Sequence, residues 1–219
     1  MTARATILDG IRRSLRRDRL APADRDALAR RLAAPRPVVV PESGRGTPAE
    51  LVERFAAMAV ETQASLDRVG PVDEVPAAVA RFLAEAGLPP AVVVSPDLAG
   101  SDWAGAGLEA HAGAARPADL VSVTPCFRAV AETGTMVVAS SPGRPTTLHF
   151  LPDIHVVVVE ASRVVGAYED AWRDLRAAGA WPRTVTWITG PSRTADIEQS
   201  LLLGAHGPRR LHVVLVDGA

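Results

Sequence analysis

At 219 residues, with 47% hydrophobic and 22% charged side chains, the chain can bury one large core, or a core with a helical appendage. Its formal net charge of −1 gives no argument for nucleic acid or an anionic membrane as partner, and no apolar run approaches the roughly 20 residues of a membrane span. All 24 cationic side chains are arginine, which excludes a Schiff-base lysine and a Walker lysine, while the lone Cys126 excludes an iron–sulfur cluster, a cysteine zinc site or an internal disulfide in this chain.

Residues 3–33 have helical spacing, with Ile7, Leu8, Ile11 and Leu15 on one side and arginines on the other. Pro22 and Asp24 mark a break and restart. Two readings stand: an arm that docks on a partner or targets the chain, or a peripheral helix with a solvated basic face. Arg12, Arg13, Arg16 and Arg17 interrupt any secretory apolar segment, and Asp9, Asp18, Asp24 and Asp26 weigh against a transit peptide, so a cytoplasmic protein is expected. Residues 35–46 form a Pro/Gly-rich connection with a short strand candidate at Val38–Val40, and the boundary between an arm (1–46) and a body (47–219) is placed here.

Thr47-Pro-Ala-Glu50 is a helix start with Thr as N-cap, Pro at the first helical position and Glu three residues on. That helix is predicted to run to about Val69, and a second one covers about Val75 to Ala86 before Gly87 and Pro89. From Ala91 onward short β-branched runs alternate with helices. The predicted strands are 91–95, 119–123, 134–139, 154–159, 184–189 and 211–216, with a helix at 167–178. This pattern predicts an α/β fold with a mainly parallel sheet flanked by helices, and ligands at the carboxyl edge of its strands. The Gly-rich stretch 100–107 lacks a phosphate-loop pattern and reads as a loop.

Polar residues concentrate in two segments beside apolar strands. One is Glu132-Thr133-Gly134-Thr135, and the other runs from Gly190-Pro191-Ser192-Arg193-Thr194 through Asp196 and Glu198 to His206. The two are expected to face one another at the same edge of a sheet. In the second, Ser192 or Thr194 can cap a helix whose free N–H groups bind an anion with help from Arg193, although capping alone also accounts for these residues. Asp196 and Glu198 stand about 200° apart on a helix, so at most one faces a cleft.

Glu132 is a candidate general base or hydroxyl ligand, and equally a carboxylate that ties a turn. His206, held between Gly204 and Gly207-Pro208, is the histidine best placed for acid/base work, or else an ordinary turn histidine. No histidine pair has the spacing of a short metal motif. Cys126 has no His or Asp near it in sequence and reads as a buried small side chain.

Four ordered motifs, Ala131-Glu-Thr-Gly-Thr135, Leu151-Pro-Asp-Ile-His155, Gly190-Pro-Ser-Arg-Thr-Ala-Asp-Ile-Glu198 and Gly204-Ala-His-Gly-Pro208, together resemble the LUD-domain family, in particular its small LutC (YkgG-type) members. The resemblance covers roughly residues 90–216. It implies a fold like the NagB/RpiA/CoA-transferase superfamily and a non-redox accessory role beside iron–sulfur oxidoreductase subunits that oxidise L-lactate. The clusters would then sit on the partners, with no cofactor in this chain. The alternative is an independent isomerase or acyl-transferase using Glu132 as base or nucleophile, and a weaker one is a folate cyclo-ligase-like activity. On the accessory reading, Glu132, Asp196 and His206 would surround an anion cleft bounded by Thr133, Gly134, Thr135 and residues 190–194.

Overall fold

The computed structural model describes residues 2–16, 20–34, 39–194 and 202–218. The chain divides into two compact units, residues 1–39 and 40–219. The first holds α1 (Ala3–Ser14), capped by the Thr2 hydroxyl, and α2 (Pro22–Ala33), with Pro at its start. Of the strand candidate Val38–Val40, Val38 lies outside the described residues, and Val39 and Val40 are not in a strand.

In the second unit α3 spans Pro48–Glu61, opened by a full capping box: Thr47 N–H donates to Glu50 Oε2 at 2.7 Å, and Glu50 N–H donates to Thr47 Oγ1 at 3.3 Å. The expected extension to Val69 does not occur. Gln63 adopts φ 73°, its N–H bonds to Val60 C=O, and Ala64 N–H reaches back to Ala59 C=O. This is a Schellman ending with glutamine where glycine is usual, so the residues around it carry no stop signal. The chain then enters a strand, β1 (Ser65–Val69). α4 (Val75–Glu85) closes with the same bonding pattern around Gly87, φ 65°, where the sequence did signal it.

The following elements are β2 (Ala91–Val94), β3 (Glu109–Ala112), β4 (Val121–Pro125), β5 (Arg128–Val130), β6 (Thr135–Ala139), α5 (Thr147–Phe150), β7 (Ile154–Glu160) and β8 (Val164–Val165). α6 (Tyr168–Ala177), β9 (Val185–Ile188), β10 (Arg193–Thr194), β11 (Leu202–Leu203) and β12 (Arg210–Val216) complete the chain. Six strands make a wholly parallel sheet in the order β1-β12-β7-β4-β2-β3. Its central strands are covered on both faces, which is why they read as unbroken apolar runs.

β6 and β9 are not part of that sheet. They pair antiparallel in a second sheet, β8-β5-β6-β9, into which the chain passes from β4 to β5 and from β7 to β8. Alternation along the strands sorts the layers. On one face of the parallel sheet, Val156, Val158, Val214 and Val216 meet α4 through Val79, Phe82 and Leu83. On the other, Val157, Val159, Val213 and Leu215 meet Phe55 and Ala59 of α3 and Met136 of the second sheet. The outer face of the second sheet, with Val130 and Val137, is covered by Ala171 and Leu175 of α6. The fold class is therefore a mostly parallel α/β sheet flanked by helices, with a small mixed sheet inserted as an extra layer.

Candidate functional site

The last turn of α3 is the platform on which both polar segments rest. Gly134, at φ 65°, comes so close that a Cβ there would lie 2.6 Å from Ala59 N and from Met58 C. Gly190, at φ 71°, has no room for a Cβ against Thr62 C=O, and Arg193 Nη1 donates to Gln63 Oε1 at 3.2 Å. Both glycines thus combine a left-handed backbone with a close backbone approach, two demands that only glycine meets together.

Antiparallel pairing of β6 with β9 sets Thr135 beside Thr189. Their hydroxyls are 2.6 Å apart, and the Thr135 hydroxyl is 2.7 Å from Tyr168 Oη and 2.7 Å from Thr133 Oγ1. The two segments do meet at one edge, of the small sheet rather than the parallel one.

Beyond Thr189 a cleft of about 450 Å³ opens. Its walls are residues 186–193 on one side and 206–208 with Phe150 on the other, and its floor carries His149, His155 and Leu211. The 190–192 and 204–208 loops are laced together, with Ser192 N–H donating to Pro208 C=O and Gly204 N–H to Ser192 C=O, both at 2.9 Å. His155 and Leu211 open β7 and β12, so the cleft lies at the amino ends of these parallel strands and not at the expected carboxyl edge. The crossover rule fails here because the small sheet, rather than a βα loop, supplies the opposing wall.

The predicted site residues divide. Gly190, Pro191, Ser192, Arg193 and His206 line the cleft. Thr194 sits in β10, paired with Leu202, so residues 193–194 are a short strand and not the expected helix start. Free helix N–H groups at 193–194 are therefore not available to an anion. Asp196 and Glu198 lie outside the described residues. Glu132 occupies the turn between β5 and β6, its N–H bonded to Gly166 C=O at 3.1 Å, and is not among the cleft residues. Thr133, Gly134 and Thr135 support the cleft from behind through Thr189.

His149 and His155 carry functional geometry that the sequence reading passed over. Their rings lie 5.6 Å apart at 29°, they are 3% and 0% exposed, and Nδ1 of each is buried with no hydrogen-bond partner among the described residues. Burial, then the neighbouring Arg144 charge, lowers the pKa of His149 to about 4, and burial, then His149, lowers that of His155 to about 3. Both are neutral at pH 7. Nε2 of His155 is 2.7 Å from the buried Thr124 hydroxyl. That hydroxyl has no other acceptor among the described residues, so having it donate to an unprotonated Nε2 leaves fewer orphaned groups. The ring proton then sits on Nδ1, where it is a donor awaiting an oxygen. The legible signal was the strand position: a histidine within an otherwise aliphatic parallel strand needs a reason.

Among the described residues the cleft is lined by no aspartate or glutamate, whereas Arg193 and His206 stand exposed at its mouth. No group of three or more His, Cys, Asp or Glu suited to a metal ion occurs among the described residues. Cys126 is buried away from the cleft, its thiol donating to Arg128 C=O at 2.7 Å, and burial pushes its pKa up to about 12, which keeps the thiol protonated at pH 7. No helix of the described residues is long and apolar enough to cross a membrane.

The LUD-domain family model matches residues 118–216, which span β7, β9, β12 and every cleft residue. A lactate utilization protein C from Deinococcus radiodurans is 31% identical over 202 residues, covering 85% of this chain and 91% of that protein. Another lactate utilization protein C, from Bacillus pumilus, is 40% identical over 96 residues, covering 40% of this chain and 38% of that one. The crystal structure of a DUF162 family protein from Deinococcus radiodurans superposes with a TM-score of 0.61 at 26% identity, covering 79% of this chain and all of that one. The chain belongs to the LUD-domain family of lactate utilization protein C.

Proposed function

We propose that this protein is a non-redox member of a lactate utilisation system and that its cleft binds a small carboxylate such as L-lactate or pyruvate. The observation that carries the reading is a cleft that presents Arg193 and His206 at its mouth over two neutral imidazoles, with no aspartate or glutamate lining it among the described residues. An oxyanion entering such a site meets the Arg193 guanidinium at the mouth, without a competing carboxylate among the described residues. Relatives named lactate utilization protein C support lactate as the pathway, and a chain with a single cysteine leaves electron transfer to iron–sulfur partner subunits. The isomerase or transferase alternative draws no support from the cleft, since Glu132 stands outside it.

Titration calorimetry at pH 7 with L-lactate and pyruvate tests the reading. Loss of one charge-assisted contact in Arg193→Ala should weaken binding by about tenfold or more, and His155→Gln should weaken it comparably. Failure of both acids to bind, or binding by both variants as tight as that of the parent protein, would remove the carboxylate assignment. Co-purification with the partner subunits, read as bound iron and lactate-dependent dye reduction, tests the accessory role separately.

A further inference from the structure

The overall charge of −1 conceals an uneven division. Residues 1–39 carry ten arginines against four aspartates, a net +6, which leaves −7 on residues 40–219. Within α1, a helical turn of 100° per residue gathers Ile7, Leu8, Ile11 and Leu15 into one arc, and they are 62%, 38%, 50% and 61% exposed. Arg12 and Arg13 lie on the remaining arc; Arg4, one turn before Ile7 and Leu8, falls within the apolar arc at the amino end of the helix, and its stem is long enough to run along an apolar surface with its head free. Neither α1 nor α2 buries a residue, and Leu20, Leu28 and Leu32 are also exposed. A helix of 12 residues with no buried contact is marginal in water, so an external surface is needed to hold it.

We propose that α1 is an interfacial anchor that lies on an anionic lipid surface, its Ile/Leu stripe in the headgroup boundary and its arginines against acidic headgroups. A short apolar stripe kept apart from an arginine-rich polar face is the mark of helices that lie in this plane rather than span the bilayer. The charge decides the sign of the surface. The spread of cations through the whole unit, rather than in one patch, fits a field of mobile headgroups better than a fixed protein epitope. The cleft plays no part in this binding.

Sedimentation of the full-length protein with vesicles tests it. Vesicles containing phosphatidylglycerol should carry the protein down at low salt and release it at high salt, whereas pure phosphatidylcholine vesicles should not bind it. Each basic residue near an anionic surface is worth about fivefold in affinity, so Arg12→Glu/Arg13→Glu should weaken binding on the order of 25-fold or more. Ile11→Asp should abolish binding while leaving the main unfolding transition unchanged, because no residue of α1 is buried. Equal binding to neutral vesicles, or anionic binding indifferent to Ile11→Asp, would overturn the proposal. So would an absence of vesicle binding combined with self-association that Arg12→Glu/Arg13→Glu abolishes, which would assign the basic unit to a second copy of this chain.

Discussion

Lowering the pH from 7 to 5 should destabilise this protein through three histidines that it buries neutral. His149 and His155 form the cleft floor, while His212 stacks on Phe82 at 3.9 Å with Nδ1 2.9 Å from Ser65 Oγ and Nε2 unpartnered among the described residues. Burial lowers their pKa values from 6.5 to about 4, about 3 and about 4. A depressed histidine pKa means that the unfolded chain binds the proton first. Stability is therefore complete well above pH 6.5, falls as pH drops below it, and stops falling once the folded pKa is passed.

Between pH 7 and pH 5 an unfolded histidine becomes largely charged while each of these stays largely neutral, which costs about 2 kcal/mol apiece. The three together amount to roughly 6 kcal/mol, a large part of a typical total of about 5–15 kcal/mol. The carboxylates of Asp119 and Asp217 are lowered as well, from 3.8, and act with the same sign. Their contribution is lost only as pH falls below about 4, outside this window.

Urea unfolding followed by tryptophan fluorescence at pH 7, 6 and 5 measures the effect, and the slope reports protons taken up. Near pH 5 the slope should approach three protons, and His155→Gln should lower it by one whatever that variant does to stability at pH 7. A slope near zero for the parent protein, or one unchanged by His155→Gln, would refute the reading of these imidazoles as buried and neutral.

Two further outcomes follow from backbone geometry. Gly134→Ala places a Cβ 2.6 Å from the backbone of α3 in a left-handed conformation, and should cost about 3 kcal/mol or more, read as a lowered unfolding temperature. A loss under about 1 kcal/mol would show that α3 does not hold the turn. Thr47→Ala removes one half of the capping box and should cost about 1 kcal/mol, with Thr47→Ser restoring most of it; equal stability of the two variants would contradict the cap assignment.

Much of the architecture was legible because its determinants are local. β7 and β12 are continuous apolar runs, the start of α3 carries cap and proline signals, and the end of α4 carries a glycine. What escaped did so for identifiable reasons. β1 was read as helix because Gln63 takes the place of a glycine, and a left-handed glutamine leaves no trace in composition. β3, β5 and β8 are strands of four, three and two residues, too short to show a period. β6 and β9 announced themselves as strands, but nothing in either segment tells whether its partner is parallel or antiparallel.

The sequence by itself determined which segments are apolar strands and which loops carry polar residues, since periodicity, turn chemistry and charge are properties of neighbouring residues. It thereby marked Arg193 and His206 and the juxtaposition of the 131–135 and 189–194 segments. Only the tertiary structure decided that Glu132 stays outside the cleft, that the cleft opens at the amino ends of β7 and β12, and that His149 and His155 form its floor. Those outcomes rest on burial and on unpartnered nitrogen atoms. Both are set by elements that meet across the core, and no local stretch of residues records them.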